Sequence, residues 1–276
     1  ESKDEESKFD NTSVSLYGTF RPTLAYTNQN DDSWDVRDAL SHFGVSAETE
    51  LSNGWTAIAK GEWSVDLSNN GNLGKARQVY LGLATPFGQI ALGKQRPTQY
   101  TLIAEYLDVF NHAASPFAFD SNGPFFVNNL VTYKHKISNM TIMAVAQVNG
   151  DNDSHFYNSG IAYDTESFHI GIGHVDQSTS DTYGNHAVNG DKETLAATLA
   201  YTLPNDIYLA ASYADVQSSF TTAGANTDGS TIDTALVIPL GGKFRAKLGY
   251  FDYDDGKDLL SSAKYDGFNA TLEWNP

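Results

Sequence analysis

Apolar and polar side chains alternate with a period of two through a series of short segments separated by turn residues, the signature of β-strands with two unlike faces. In the first segment Val14, Leu16, Gly18, Phe20, Pro22, Leu24 and Tyr26 share one face, and Ser13, Ser15, Tyr17, Thr19, Arg21 and Thr23 the other. Further on, Trp55, Ala57, Ala59, Gly61, Trp63 and Val65 alternate with Thr56, Lys60, Glu62, Ser64 and Asp66, which sets charges opposite two tryptophans. The pattern recurs at Leu195, Ala197, Leu199 and Tyr201, at Ile207, Leu209, Ala211 and Tyr213, at Phe244, Ala246, Leu248 and Tyr250, and at Phe268, Ala270, Leu272 and Trp274.

Alternation alone fits a soluble sandwich as well as a membrane barrel, because both hide one face of each strand. Segment length and connector asymmetry favour the barrel. Segments of about nine to fourteen residues match a tilted strand crossing a bilayer, and aromatic residues gather towards their ends, as interfacial girdles require. Tight connectors at 51–54, 86–88, 138–139, 203–206 and 241–242 alternate with long stretches rich in Asp, Asn and Ser at about 28–37, 67–75, 95–126, 177–192, 216–230 and 254–262. The expected fold is all-β, a transmembrane antiparallel up-and-down β-barrel of about fourteen strands. Lipid-facing backbone must be fully paired, which requires a closed barrel. The polar strand faces must then line a lumen too wide for side chains to fill, and so a water-filled channel.

Composition narrows the chemistry. Of 276 residues, 34 are acidic and 17 basic, and the net charge of −17 argues against nucleic acid as a partner. The absence of cysteine removes disulfide frameworks, thiolate metal sites and thiol nucleophiles. No apolar run approaches the roughly 18 residues of a membrane-spanning helix. His42, His112, His135, His155, His169, His174 and His186 lack metal-binding spacing, and no Gly-x-Ser-x-Gly elbow is present, so neither an enzyme nor a cofactor or metal is expected. The acidic run 252–258 places its glycine one position too early for an EF-hand and reads as solvated loop charge. Gly171-Ile172-Gly173 lies in a strand pattern with no helix following, unlike a nucleotide fingerprint.

Several local motifs carry a family resemblance. Leu16-Tyr17-Gly18 looks like an opening strand, and Phe43-Gly44-Val45-Ser46-Ala47-Glu48 followed by Leu51-Ser52-Asn53-Gly54 like a second strand and turn. Arg77-Gln78-Val79-Tyr80-Leu81-Gly82-Leu83 and Phe87-Gly88-Gln89-Ile90-Ala91-Leu92-Gly93-Lys94 lead into the longest loop, which returns through Asn128-Asn129-Leu130-Val131-Thr132-Tyr133. In order and spacing, residues from about 12 to the end resemble the Gram-negative general porin family. That resemblance implies a homotrimeric outer-membrane channel passing small hydrophilic solutes and ions, in contact with lipid and lipopolysaccharide, with a long inward-folded loop (about 95–126) narrowing the pore.

The resemblance also implies a basic wall facing carboxylates on the loop. Lys94 fills one basic position, but His42 and Phe126 stand where arginines are expected. The remaining wall cations are Arg96, Arg21, Arg245 and Lys247, with Lys60 and Glu62 also on the lumen face; the loop carboxylates are Glu105, Asp108 and Asp120. The expected consequence is mild cation selectivity. An alternative reading is an oligosaccharide-specific porin, with Tyr100, Tyr106, Phe117 and Phe119 as a stacking track for sugar rings. The chain stops at Trp274-Asn275-Pro276, whereas the family has sixteen strands and ends on an aromatic. An acidic tail, residues 1–11, precedes the barrel region, residues 12–276. It is expected to be a disordered periplasmic tail or a plug, since about eleven extended residues reach ~36 Å against an apolar band of ~25 Å.

Overall fold

The structure, a computed structural model, describes residues 11–29, 31–68, 71–110, 118–119, 123–148, 154–183, 186–222, 224–257 and 263–274. In chain order the strands are β1 (Thr12–Thr19), β2 (Pro22–Gln29), β3 (Asp31–Asp38), β4 (His42–Glu50), β5 (Thr56–Val65), β6 (Leu73–Thr85), β7 (Gly88–Gln95) and β8 (Val127–Ile137). They continue with β9 (Met140–Gln147), β10 (Phe156–Asp164), β11 (Phe168–Tyr183), β12 (His186–Thr202), β13 (Tyr208–Phe220), β14 (Thr227–Gly241), β15 (Phe244–Asp254) and β16 (Lys264–Trp274). A short helix, α1 (Thr98–Leu102), and a 3₁₀ turn at Ala104–Tyr106 interrupt the long connection between β7 and β8.

Fourteen strands form one antiparallel meander in the order β1, β4 and then β5 through β16, while β2 and β3 pair only with each other. The strand count expected from the sequence is met. From β4 to β16 the ladder joins each strand to its neighbours in sequence, and β1 pairs with β4 across the β2–β3 arm. Among the described residues no ladder links β1 to β16.

The burial pattern inverts that of a water-soluble protein. In β12 the large apolar residues Leu195, Leu199 and Tyr201 are exposed on the outer face, while Thr194, Ala196, Thr198 and Ala200 are buried. Ile161, Ile170, Ile172, Leu209, Leu248 and Leu272 repeat this on neighbouring strands. An apolar outer band around a smaller, more polar interior is what lipid on the outside demands. Among the described residues no helix is long and apolar enough to cross a membrane.

The inner face is buried because the β7–β8 connection lies against it. Its residues touch β10, β11, β13, β14 and β15, which only a sheet curled around the segment permits. The stretch 28–37, expected to be a polar loop, is largely strand: β2 and β3 form an arm with Leu24 opposite Val36 and Tyr26 opposite Trp34, the latter rings 5.1 Å apart. Likewise 177–192 is mostly ladder, since β11 and β12 pair from Phe168↔Tyr201 to Tyr183↔His186. In 177–192 polar residues fall on both strand faces, which erases the alternation while leaving backbone pairing intact, whereas the arm keeps it, with Leu24, Tyr26, Trp34 and Val36 on one face.

Candidate functional site

The charged wall begins at one rung of the ladder where Tyr17, Gly44 and Glu62 stand side by side. Gly44 has no side chain, and the Tyr17 ring occupies the space a Cβ would need. From there the Tyr17 hydroxyl donates to Glu62 Oε2 at 2.9 Å, and Lys60 Nζ lies 5.5 Å from the same ring. Glu62 is 4% exposed and accepts a second, charge-assisted hydrogen bond from Arg77 Nε at 2.7 Å.

Arg77 reaches that carboxylate through a β-bulge. The β5–β6 ladder pairs Glu62 with Gln78 and Trp63 with Ala76, skipping Arg77. Regular alternation would put Arg77 on the same face as the outward Val79; the extra residue re-aims it inward. This is the wall residue that strand parity did not find, and no motif in the sequence marks the bulge. Phe126, standing where the resemblance implied an arginine, lies between two guanidinium groups instead, with Arg77 at 4.9 Å and Arg96 at 5.4 Å from its ring centroid.

Arg96 continues the charged network into the loop. Its Nη1 donates to Glu105 Oε1 at 3.2 Å, and its guanidinium sits 4.2 Å from the Tyr100 centroid. The Tyr100 hydroxyl donates to Asp108 Oδ2 at 2.8 Å. Burial, and then the Asp108 charge, push this phenol well above the usual tyrosine range. Of the other expected constriction residues, His42 Nδ1 contacts the Leu40 carbonyl at 3.0 Å, and Lys94 pairs with the exposed Val79 beside a register shift at Gly93/Gln95. Neither joins the Glu62–Arg77 pair in an ion pair. Asp120, Phe117 and tail residues 1–10 lie outside the described residues.

The loop is fixed to the opposite sides of the curl by different means. Asn158 on β10, 2% exposed, accepts the Gln99 N–H at 2.7 Å, and its amide donates to the His174 carbonyl at 2.9 Å. Leu102 and Ile103 settle over Gly160, Gly171 and Gly173; a Cβ at Gly171 would stand 2.3 Å from the Leu102 carbonyl oxygen, so only glycine permits this approach. Tyr208 on β13 donates to the Tyr106 carbonyl at 2.7 Å, and Lys247 on β15 to the Val109 carbonyl at 2.8 Å while pairing with Glu273 at 2.7 Å. On β14 the buried Asp233 accepts the backbone N–H groups of Ala118 and Phe119 at 2.8 and 3.0 Å.

The aromatic residues of the loop are largely spent on this packing. Tyr100 and Phe119, 3% and 5% exposed, cluster with Phe125, leaving no open face for a sugar ring. Tyr106 is stacked on His169. Of the remaining wall residues, Lys247 lines a cavity of about 550 Å³ with Arg245, Asp206, Tyr208 and Val109, whereas Arg21 binds through its backbone to Ser41 and Ala39. Among the described residues, no group of three or more His, Asp or Glu is arranged to hold a metal ion. In the acidic run, Asp254 and Asp255 accept backbone N–H groups from Gly256 and Lys257.

A polar, charge-lined interior narrowed by an inserted loop, inside an apolar outer face, is a pore architecture. Residues 4–274 match the sequence profile of Gram-negative porins. No curated protein matches the chain in sequence. Among solved structures, an anion-selective porin from Comamonas acidovorans is similar at a TM-score of 0.77 and 19% identity, over 95% of this chain and 83% of that one. OmpF of Salmonella typhi, in complex with daunomycin, superposes at 0.72 and 19% identity over 96% and 87% of the two chains. A loop L8 deletion mutant of OmpT, an outer membrane protein of Vibrio cholerae, does so at 0.74 and 18% identity over 95% and 88%. The protein is an outer-membrane β-barrel channel, and the chain belongs to the Gram-negative porin family.

Proposed function

We propose that the channel passes small hydrophilic solutes and ions passively, with a mild preference for cations, and that it works as a homotrimer in contact with lipid and lipopolysaccharide. The observation that carries the selectivity is the pairing of wall cations. Arg77 and Arg96 each face a carboxylate, at 2.7 and 3.2 Å, so their positive charge is offset where an anion would need it. Asp108 is exposed and is bonded to a neutral phenol, leaving its charge to act on passing ions. A chain of net charge −17 adds a field that favours cations at the pore mouths. The trimer reading draws support from an OmpT structure of Vibrio cholerae described as a trimer form, matched at a TM-score of 0.55.

Single-channel recording in a planar bilayer under a salt gradient tests both parts. The expected result is a reversal potential on the cation side and closures in three equal steps. A reversal potential favouring anions overturns the selectivity, and single-step closure overturns the trimer.

A further inference from the structure

One of the contacts holding the loop uses a group whose charge depends on pH. His169 on β11 is 4% exposed, with Nδ1 2.6 Å from Asp164 Oδ1 and Nε2 2.9 Å from the Leu102 carbonyl oxygen. Both partners are acceptors. A backbone carbonyl has no proton to give, and the same Asp164 oxygen already accepts the Tyr106 hydroxyl at 3.2 Å. A neutral imidazole carries one N–H and satisfies one of these contacts; the imidazolium carries two and satisfies both. Removing a proton from the pair turns a ring lone pair towards either the Leu102 carbonyl or the Asp164 carboxylate.

Asp164 comes from β10, where it is held by reciprocal bonds with Asn139, from the Asp164 N–H and to the Asp164 carbonyl. The Tyr106 ring covers the imidazole face with centroids 3.4 Å apart and planes at 15°. Glu105, next to Tyr106 on the loop, is already paired with Arg96 at 3.2 Å, and Tyr208 approaches from β13 through its bond to the Tyr106 carbonyl. Among the described residues the groups that touch the ring are Asp164, the Leu102 carbonyl and Tyr106, none of them cationic. Leu102 ends α1, and its carbonyl is also the atom closest to Gly171, so the contact fixes the depth at which the loop sits.

We infer that His169 is a positioning residue of the pore, holding the end of α1 with both ring N–H groups as an imidazolium and with at most one when deprotonated, which loosens that end and makes the steadiness of the constriction depend on pH. The inference rests on the channel reading above. Charge-assisted hydrogen bonds are the stronger class, so losing one is expected to raise the population of displaced loop at least about tenfold.

The test is single-channel recording of the full chain at about pH 5 and about pH 9, which bracket the range where an imidazole in ordinary surroundings changes charge. The wild type is expected to be quiet at the lower pH and to show excursions to other conductance levels at least about tenfold more often at the higher. His169→Gln offers an amide donor but cannot titrate, so its excursion frequency is expected to be equal at the two pH values. Wild-type currents that do not change with pH, or a His169→Gln channel that keeps the full pH step, overturn the inference. If the variant does not fold, ¹⁵N spectra of the wild-type imidazole decide: both ring nitrogens protonated at about pH 5 support the inference, and a neutral ring there refutes it. Silent bilayers from folded protein count against the channel reading, and the ring spectra still judge His169 separately.

Discussion

Along β10 and β11 the inner face offers Gly160, Gly171 and Gly173 to the loop, whereas along β5 and β6 it offers Lys60, Glu62 and Arg77. The first stretch has given up side chains so that another backbone can approach, and Leu102 and Ile103 are almost fully buried against it. The second keeps charges, paired with one another at 2.7 Å between Arg77 and Glu62. Under the selectivity proposed above, the difference divides the labour of a pore: one part of the wall sets where the obstruction sits, and the other is proposed to bias which ions pass it. A substitution in the glycine stretch should therefore change pore size, and one in the charged stretch should change selectivity.

The largest effect is expected from Gly171→Val, because the new Cβ would meet a backbone oxygen rather than a side chain that can turn away. Overpacking against a backbone atom cannot be relieved by a rotamer change, so α1 itself must shift and the pore opening changes with it. Single-channel conductance should rise, and the loop should become a protease target. Arg77→Ala comes next. It leaves Glu62, 4% exposed, with Tyr17 as its remaining donor, and breaking such a pair costs about 3 kcal/mol. The reversal potential should move further towards cations while conductance changes little; a conductance rise as large as that of Gly171→Val would erase the distinction between the two walls.

Asp233→Asn should have a smaller effect. Its amide can accept one of the two N–H groups from Ala118 and Phe119, so the tip of the loop loses about 1–2 kcal/mol of anchoring. Limited proteolysis should cut the loop faster with selectivity unchanged. The smallest effect is expected at Lys257→Ala, which removes a 2.7 Å ion pair with Asp181 between partly exposed side chains, worth under about 1 kcal/mol. Thermal unfolding should shift only slightly, and less at high salt.

The strands that face lipid on one side and the lumen on the other were legible from alternation, because two unlike solvents impose two unlike faces; β5 and β12 are examples. The outer reaches of β11 and β12 were not, because polar residues there fall on both faces and periodicity carries no signal although the ladder continues. The arm keeps its alternation; what periodicity could not show is that the first alternating run breaks after Thr19, so that β2 turns back on β3 instead of extending β1. At the site, Glu62 could be named from parity, and Arg96, Glu105 and Asp108 from what the family resemblance implies, but Arg77 could not be placed on the wall, since a single inserted residue reverses parity locally. Lys94 shows the same limit, as it sits beside the Gly93/Gln95 register shift. The aromatic residues of the loop were visible in the sequence, but only packing shows that Tyr100 and Phe119 face each other and not the pore.

The reach of the loop contacts also bears on how the chain folds. From β4 onward each rung joins strands adjacent in sequence, and β1 reaches β4 across the β2–β3 arm, so most of the sheet can zip up from local pairings. The bonds from Ala118 to Asp233 and from Lys247 to Val109 join residues 115 and 138 positions apart, and their partners on β14 and β15 must be in place first. Non-local contacts close late because their loop entropy must be met before they stabilise anything. Refolding should therefore proceed in two stages: strand content develops first, and the constriction closes afterwards through an unobstructed, more conductive intermediate.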